Sequence, residues 1–423
     1  MATTVPRPSA TDAISYADLY ARWERGNWRA TEIDFSQDAV DWHEKLTEEQ
    51  RRSALWLYAL FFHGEDSVAD NLSPYIDAAP TEEQTYFLTT QQVDEARHSV
   101  LFKRFMHEVV GRGDGTVGGT LAATQEQITW GHRQVFTRLD QMADELRADR
   151  SKPKLAAALT LYHIVVEASL AQPGQHMIEG YLEEYDVLPG FREGMRNVAL
   201  DEQRHIGFGV KLLADLYRED PETIQEAIVA TIRETLPWTA AVAKPPNWNR
   251  RYTECFGFSL EDIGEAGAAS LEQKLRAIGL PVDRLPRFPM PMEIPPRDRA
   301  IRGQTMLRAN LLGPDRPAAK DPDAVAYAFD GLRRQADATK VRPGTTLQWD
   351  FTDYEPWQVV LDPAGSSAQP GRAAKPDVTV RMAFDDWADV VAGRVDPRRQ
   401  LLRRRMRVRG DWRTIAALPK VLG

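Results

Sequence analysis

Two five-residue segments of this chain carry the residue types that ligate metal ions. Asp94–His98 and Asp201–His205 both read D-E-x-R-H, and they lie 107 positions apart. Within each copy the glutamate and the histidine are three residues apart, so on a helix both side chains leave the same face and can converge on one ion. One such copy is typical of a pair on a helix surface, but two copies together predict a metal centre bridged by carboxylates.

A lone glutamate precedes each copy within an otherwise apolar helical run. Glu65 stands 30 residues before Glu95, and Glu167 stands 35 residues before Glu202. A carboxylate on a buried apolar face is costly unless it is paired or binds a metal. Four carboxylates and two imidazoles from four helices are the ligand set of a di-iron or di-manganese helix bundle. The predicted metal ligands are Glu65, Glu95, His98, Glu167, Glu202 and His205.

Other polar residues stand where they could support these ligands. Asp94 and Asp201 each precede a predicted ligand and are candidates for acceptors that orient a histidine N–H, with a simple helix-surface acid as the alternative interpretation. Arg97 and Arg204 are expected to pair with these two acids. His163, one turn before Glu167, is interpreted as a core or supporting histidine rather than a seventh ligand.

The composition bounds the class of protein. A chain of 423 residues exceeds one ordinary core, so we expect two domains. Its net charge of −9 gives no field that attracts nucleic acid. The single cysteine, Cys255, excludes an intramolecular disulfide and a thiolate cluster. Residues 1–12 lack the pattern of a secretion signal and no apolar run reaches about 18 residues, so we expect a cytoplasmic protein without a transmembrane segment.

Residues 1–280 read as an all-α domain. Residues 1–46 predict an arm with a short helix. Capping boxes at Thr47–Gln50 and Thr81–Gln84 predict the starts of two long helices, the first of which runs past Glu65 to about residue 78. The remaining helices are predicted over residues 81–111, 120–148, 154–180, 189–217, 221–243 and 258–279.

The composition changes after residue 280. Nine prolines between Pro281 and Pro322 predict a semi-rigid linker over residues 281–320. Residues 321–423 then read as a small α+β module, because alternating apolar residues indicate strands. Strands are predicted over residues 345–351, 357–361, 377–382 and 406–409, and helices over 323–337, 384–392 and 411–418.

The spacing of the six predicted ligands resembles that of the small subunit of class I ribonucleotide reductase and its relatives, across roughly residues 30–240. The closest likeness is to the ligand-binding oxidases, which hold a manganese/iron pair and a long-chain fatty acid. Val68, three residues after Glu65, and Tyr162, five before Glu167, stand where those oxidases form a valine–tyrosine ether cross-link. The resemblance implies a ferritin-like bundle, a homodimer and a Mn/Fe or Fe/Fe pair, while packing remains the alternative role of Val68 and Tyr162.

One position departs from the reductase pattern. The radical tyrosine of the usual reductase subunit falls four residues after the first histidine, where this chain has Phe102. A phenylalanine cannot form a phenoxyl radical, so a stored tyrosyl radical is excluded at this position.

The C-terminal module resembles a sterol-carrier-protein (lipid-transfer) domain over about residues 320–423. The residues that carry this likeness are 376–380, 384–393 and 408–411. The resemblance implies an apolar ligand, although the sequence does not identify the residues that bind it. Nine arginines between Arg394 and Arg413 could meet acidic lipid or coenzyme A phosphates, or form a solvated face.

These observations predict a dimetal oxidoreductase that activates dioxygen and oxidises a hydrophobic, fatty-acyl-like substrate, with an external electron donor possible. The enzymatic alternatives are an N-oxygenase or other specialised-metabolite oxygenase, and a radical generator like the reductase subunit. A ferroxidase or metal-storage protein would need to assemble into a shell, which the second domain opposes. A lipid-binding protein whose metal site only forms the cross-link is the remaining alternative.

Overall fold

The structure, a computed structural model, describes residues 14–422. The chain divides into two compact units after Val282. The residues in which we looked for a secretion signal, and the start of the predicted arm, lie outside the described residues.

The first unit is a bundle of long helices, as predicted. The capping boxes at Thr47 and Thr81 are present and begin α3 and α5. The helices of this unit are α1 (Tyr16–Arg25), α2 (Ser36–Glu44), α3 (Glu48–Asn71), α4 (Ser73–Ala78), α5 (Glu82–Glu108), α6 (Val117–Thr124), α7 (Trp130–Ala148), α8 (Lys152–Leu159), α9 (Gln172–Glu184), α10 (Pro189–Glu219), α11 (Pro221–Val242), α12 (Arg251–Glu254) and α13 (Leu260–Ile278).

Aromatic packing joins α3, α5 and α10. The ring centroids of Phe105 and Phe191 are 4.2 Å apart, and those of Tyr58 and Phe191 are 4.5 Å apart. Asp38 of α2 accepts hydrogen bonds from the backbone N–H groups of Gly190 and Phe191 at 2.8 and 2.7 Å. These bonds satisfy donors of the first turn of α10, which has no intrahelical partners for them. The predicted arm thus holds two helices, and the second fixes the start of a helix that carries predicted ligands.

Two predicted helices are interrupted. The helix expected over residues 47–78 ends at Asn71, and α4 begins at Ser73 with Pro74 in its first turn, where a missing N–H is tolerated. The helix expected over residues 120–148 divides into α6 and α7. Thr129 caps α7 by accepting from the backbone N–H of His132, so the chain starts a new helix there.

The helix that carries Glu167 is not regular, contrary to the prediction for residues 154–180. A π-helix, Thr160–Ala171, joins α8 to α9. The stretch Lys152–Glu184 is long and apolar enough to cross a membrane, and 72% of its most apolar window is buried inside the protein. Its apolar character therefore fits a core helix.

The second unit contains a five-stranded sheet among the described residues. The strand order is β3-β2-β1-β4-β5, with β1 and β4 parallel and the other neighbours antiparallel. Its elements are α14 (Pro296–Arg308), α15 (Pro322–Gln335), β1 (Thr345–Phe351), β2 (Trp357–Leu361), β3 (Ser367–Pro370), β4 (Val378–Met382), α16 (Phe384–Val391), α17 (Pro397–Leu402), β5 (Met406–Gly410) and α18 (Trp412–Leu422).

Three elements of this unit were not predicted: α14, β3 and the short helix α17. Helix α14 lies inside the predicted linker, and Leu307 at its end is buried. Pro296 begins this helix instead of breaking it, because proline is well tolerated at a first helical position. Strand β3 is short, mostly exposed and ends in Pro370, so it lacks the apolar alternation that identifies a strand.

One face of the sheet forms the core of the second unit. Leu347, Trp349 and Phe351 alternate along β1 and are buried with Val378 and Val380 of β4. The period of two places these side chains on one face. Phe329 of α15 packs on that face, with its ring stacked on Trp357 at 4.7 Å and on Trp387 at 5.0 Å.

Candidate metal centre

The structure brings the six predicted ligands together in the interior of the bundle. Helix α3 supplies Glu65, α5 supplies Glu95 and His98, the π-helix supplies Glu167, and α10 supplies Glu202 and His205. All six are buried. Two groups of ligand atoms each lie within 4.8 Å of one another, one made of Glu65, Glu95, His98 and Glu202, the other of Glu95, Glu167 and His205.

Two glutamates lie between the histidines. Glu95 approaches His205 Nδ1 at 3.1 Å through one oxygen and His98 Nδ1 at 3.4 Å through the other. Glu202 likewise lies 3.6 Å from His98 Nδ1 and 3.7 Å from His205 Nδ1. Glu65 faces only His98, at 3.2 Å. Of the two histidines, Glu167 lies near His205, at 3.7 Å from its Nδ1. Glu95 thus belongs to both groups of candidate ligands, and Glu202 lies within 3.7 Å of both histidines, so both carboxylates are placed to be shared by two ions.

The outer nitrogen of each histidine contacts the aspartate of the other D-E-x-R-H copy. His98 Nε2 lies 3.1 Å from Asp201, and His205 Nε2 lies 3.1 Å from Asp94. A carboxylate accepts, so Nε2 donates to the aspartate in each case, which leaves Nδ1 directed at the glutamates. Burial opposes protonation of these rings, but Glu65 beside His98 and Glu95 beside His205 hold the pKa of each imidazole above its usual value, so Nδ1 carries a proton that a metal ion would replace on binding.

Two arginines complete a charged ring around the histidines. Arg97 donates to Asp201 at 2.9 Å and also to Asp94, while Arg204 donates to Asp94 at 3.1 Å and also to Asp201. The expectation that Arg97 and Arg204 pair with these acids is confirmed. Burial opposes ionisation of Asp201, but His98 and then Arg204 hold its pKa below its usual range.

Two tryptophans from the N-terminal segment reach the same aspartates. Trp23 Nε1 donates to Asp94 at 2.9 Å, and Trp28 Nε1 donates to Asp201 at 2.8 Å. The sequence did not indicate either tryptophan, because they lie 71 and 173 positions from their partners. No local spacing reports a contact of that range.

Two further polar side chains, Tyr162 and Gln91, lie beside Glu95 and Glu167. The Tyr162 hydroxyl donates to Glu95 at 2.6 Å, and Gln91 Nε2 donates to the Tyr162 hydroxyl and to Glu167, both at 2.9 Å. Burial, followed by Glu95, raises the pKa of Tyr162, so the phenol stays protonated. Gln91 was also missed, although it precedes Glu95 by one helical turn on the same face.

His163 contacts Gln91 rather than any predicted ligand. Its Nε2 lies 3.2 Å from Gln91 Oε1, and burial lowers the pKa of His163 to about 3. The ring is therefore neutral near pH 7. This position agrees with a supporting role, and among the described residues His163 does not join either group of candidate ligands.

Val68 and Tyr162, the predicted cross-link pair, are both buried. Val68 follows Glu65 by three residues on α3, so both lie on the same face of that helix. Phe102, where the reductases have their tyrosine, packs with its ring 5.8 Å from Phe191 and 6.0 Å from Phe61.

The charge and hydrogen bonding of the centre fit two divalent ions. Burial raises the pKa of Glu65 to about 8 and raises that of Glu167 as well, because a carboxylate in this core is costly without a nearby cation. One oxygen each of Glu95, Glu167 and Glu202 has no hydrogen-bond partner among the described residues, and neither has His205 Nδ1. Four carboxylates balance two divalent ions, and mixed carboxylate and imidazole ligands suit manganese and iron. The cluster is able to hold two metal ions.

Comparison with known proteins agrees with this geometry. An R2-like ligand-binding oxidase from Sulfolobus acidocaldarius is 26% identical with a TM-score of 0.53, and the match covers 65% of this chain and 95% of that chain. A variant R2-like ligand-binding oxidase with an anaerobically reconstituted Mn/Fe cofactor is 26% identical with a TM-score of 0.54, over 62% of this chain and 93% of that chain.

Two family models match separate parts of the chain. The model described as ribonucleotide reductase, small chain, matches residues 12–244. The model of the SCP-2 sterol transfer family matches residues 330–423, the sheet-containing part of the second unit. The protein thus belongs to the ribonucleotide reductase small-chain family, and an SCP-2-like segment follows its helical bundle along the chain.

Proposed function

We propose that this protein is a dioxygen-activating dimetal oxidase that acts on a hydrophobic, fatty-acyl-like ligand. The observation that supports it most is the inward-facing set of histidine nitrogens and glutamate oxygens in a buried core. When bound, manganese and iron or two irons supply the electrons that reduce dioxygen and the oxidising power to remove hydrogen from an unactivated C–H bond.

The chain's own residues prepare the site for that chemistry. Glu65, Glu95, His98, Glu167, Glu202 and His205 are the proposed ligands. Asp94 and Asp201 hold the imidazole rings in one tautomer, which keeps both Nδ1 atoms directed at the centre. The Tyr162 hydroxyl directs its proton at Glu95, and burial of all six ligands keeps bulk water away from them.

A reductase-like role has less support. Family membership describes the bundle and its ligands, whereas the tyrosine that stores a radical in the usual reductase subunit is replaced by Phe102; reductase subunits without that tyrosine keep this alternative open. Fold and activity separate in this way in many families.

The hydrophobic nature of the ligand is proposed from the second unit. Its match to a sterol transfer family supports a substrate of low polarity, and the relatives of the first unit are described as ligand-binding. We further propose a cytoplasmic homodimer, for which light scattering should give about twice the chain mass of 47.8 kDa.

The cofactor is tested by metal analysis and peptide mass spectrometry on protein matured with iron and manganese under dioxygen. One iron and one manganese per chain, with Val68 and Tyr162 peptides joined by the loss of two hydrogens, would support the Mn/Fe oxidase with its cross-link. Two irons and no cross-link would instead favour a di-iron oxygenase. Protein that retains no metal would overturn the proposal.

The substrate class is tested by dioxygen consumption with long-chain fatty acids. Glu167→Gln should abolish consumption because it removes a ligand, whereas Glu184→Gln, an exposed residue on the following helix, should not. Consumption that depends on the metal but not on any acyl ligand would remove fatty acids from the proposal.

A further inference from the structure

One corner of the second unit concentrates positive charge. Residues 394–413 contain nine arginines and two aspartates, whereas the whole chain carries a net charge of −9. Helix α17, strand β5 and the first turn of α18 form this stretch. We call residues 397–413 the basic corner.

Most arginines of the basic corner have no acidic partner. Arg405 pairs with Asp386, but other guanidinium groups have no carboxylate within 4.0 Å among the residues that the structure describes. The arginines without a carboxylate partner are all exposed, and they are Arg398, Arg399, Arg403, Arg404, Arg407, Arg409 and Arg413.

Large apolar side chains stand beside these arginines. Leu402, at the end of α17, is 84% exposed, and Trp412, at the start of α18, is 72% exposed. They are the two most exposed large hydrophobic residues in the described part of the chain. Leu401 adds a third at 44%. Arg413 lies over the Trp412 ring at 5.5 Å, whereas Leu401 and Leu402 remain in solvent. Exposed apolar groups clustered in sequence with cations are typical of an interaction surface.

Protection of the sheet edge explains only part of this surface. Strand β5 is an edge of the sheet, and charged side chains such as Arg407 and Arg409 prevent edge-to-edge pairing. That role does not need Leu402 or Trp412 in solvent. A nucleic acid would use the arginines but gains nothing from an exposed leucine.

An anionic lipid surface satisfies both kinds of side chain. Arginines bind phosphate headgroups, while leucine and tryptophan enter the boundary between headgroups and acyl chains. We propose that the basic corner docks the second unit on an anionic phospholipid bilayer. This docking does not depend on the proposed oxidase reaction, and it places the SCP-2-like segment where apolar molecules are found.

The proposal is tested by flotation of the full chain with phosphatidylcholine vesicles, with and without about one third phosphatidylglycerol. We expect binding only to the anionic vesicles, and less of it at high salt. No binding of the native chain to anionic vesicles would overturn the proposal.

The arginines are tested by the triple variant Arg403→Gln, Arg407→Gln and Arg409→Gln. Each lost charge weakens attraction to an anionic surface, so partitioning should fall about 100-fold. The matched control, Arg22→Gln with Arg112→Gln and Arg284→Gln, removes the same charge elsewhere from exposed positions. Equal losses in both triple variants would show a general charge effect and contradict the proposed site.

The apolar contact is tested by Leu402→Ala with Trp412→Ala, which should reduce partitioning about tenfold. Tyr86→Ala with Leu200→Ala, two exposed residues of the first unit, is the control and should have no effect. Circular dichroism of each variant checks that the fold is kept. If the arginine variant fails to bind while the apolar variant binds normally, the proposed insertion is wrong.

Discussion

The two D-E-x-R-H copies form nearly equivalent outer halves of the metal centre. Each histidine is held at 3.1 Å by the aspartate of the other copy, and each arginine donates to both aspartates. Each aspartate also receives one indole N–H. Because each histidine depends on the aspartate of the other copy and each arginine joins the two aspartates, neither half is complete alone.

The inner parts of the two halves differ. On the Glu167 side, Tyr162 and Gln91 donate hydrogen bonds to Glu95 and Glu167. On the Glu65 side, the hydrogen bond of Glu65 in the described structure is with His98. The two ion positions therefore share the same outer contacts, from the aspartates and arginines, but differ in the hydrogen bonds that their glutamates receive.

Replacing Glu95 should weaken metal binding at both histidines. Glu95→Gln removes a carboxylate that faces both histidines, so metal content should fall from about two ions per chain to below one. Elemental analysis after loading measures this. Glu184→Gln is the control and should retain both ions; a Glu95 variant that also retains both would show that Glu95 does not bridge.

Replacing one aspartate should weaken metal binding at the histidine of the other D-E-x-R-H copy. Asp94→Asn should reduce affinity for the ion at His205, and Asp201→Asn for the ion at His98, each by about 10- to 100-fold, because the outer hydrogen bond orients the ligand. Metal titration gives the affinity, and anomalous diffraction shows which ion is lost. Asp70→Asn, an exposed acid on α3, is the control. Loss of the ion nearest the substituted copy would contradict the crossed arrangement.

Replacing Tyr162 should lower the stability of the protein without changing its metal content. Tyr162→Phe should keep about two ions but lower the free energy of unfolding of the metal-free protein by about 1–3 kcal/mol, because Glu95 loses a buried hydrogen bond. Urea denaturation measures the change. Tyr75→Phe removes a weaker bond, 3.3 Å to a backbone oxygen, and should cost less. Equal costs would mean that the Tyr162–Glu95 bond contributes little.

Loss of an indole N–H should have the smallest effect. Trp23→Phe should cost about 1 kcal/mol beyond Trp56→Phe, a buried tryptophan whose Nε1 has no partner among the described residues. Trp28→Phe should cost about 0.5–1 kcal/mol more than Trp23→Phe, because Arg97 also lies over the Trp28 ring at 4.9 Å. Thermal or urea unfolding of the metal-free chain checks the order, and a reversed order would reject this account of the ring.

Sequence spacing identified the candidate metal ligands because the pattern that reveals each of them lies within a single helix. Glu95 and His98 share a face because they are three residues apart, and the isolated Glu65 and Glu167 are conspicuous because charge on a buried face is costly. Their identification needed no knowledge of tertiary structure. The repeated motif then indicated that two such helices meet.

The parts that the sequence did not predict depend on contacts between distant segments or on ambiguous local patterns. Trp23 and Trp28 reach the centre only because the N-terminal segment packs against α5 and α10. A mostly apolar stretch such as Thr160–Ala171 is compatible with α- and π-helix alike, so the π-helix could not be predicted. In the second unit, the prolines of residues 281–320 suggested a linker, yet Pro296 begins a helix.

The most direct test of the account is a crystal structure of the full chain matured with manganese and iron, with anomalous data at both metal edges. We predict two peaks bridged by Glu95 and Glu202, one bound by His98 and Glu65 and the other by His205 and Glu167. A single peak, or peaks away from these six residues, would contradict the proposed dimetal centre.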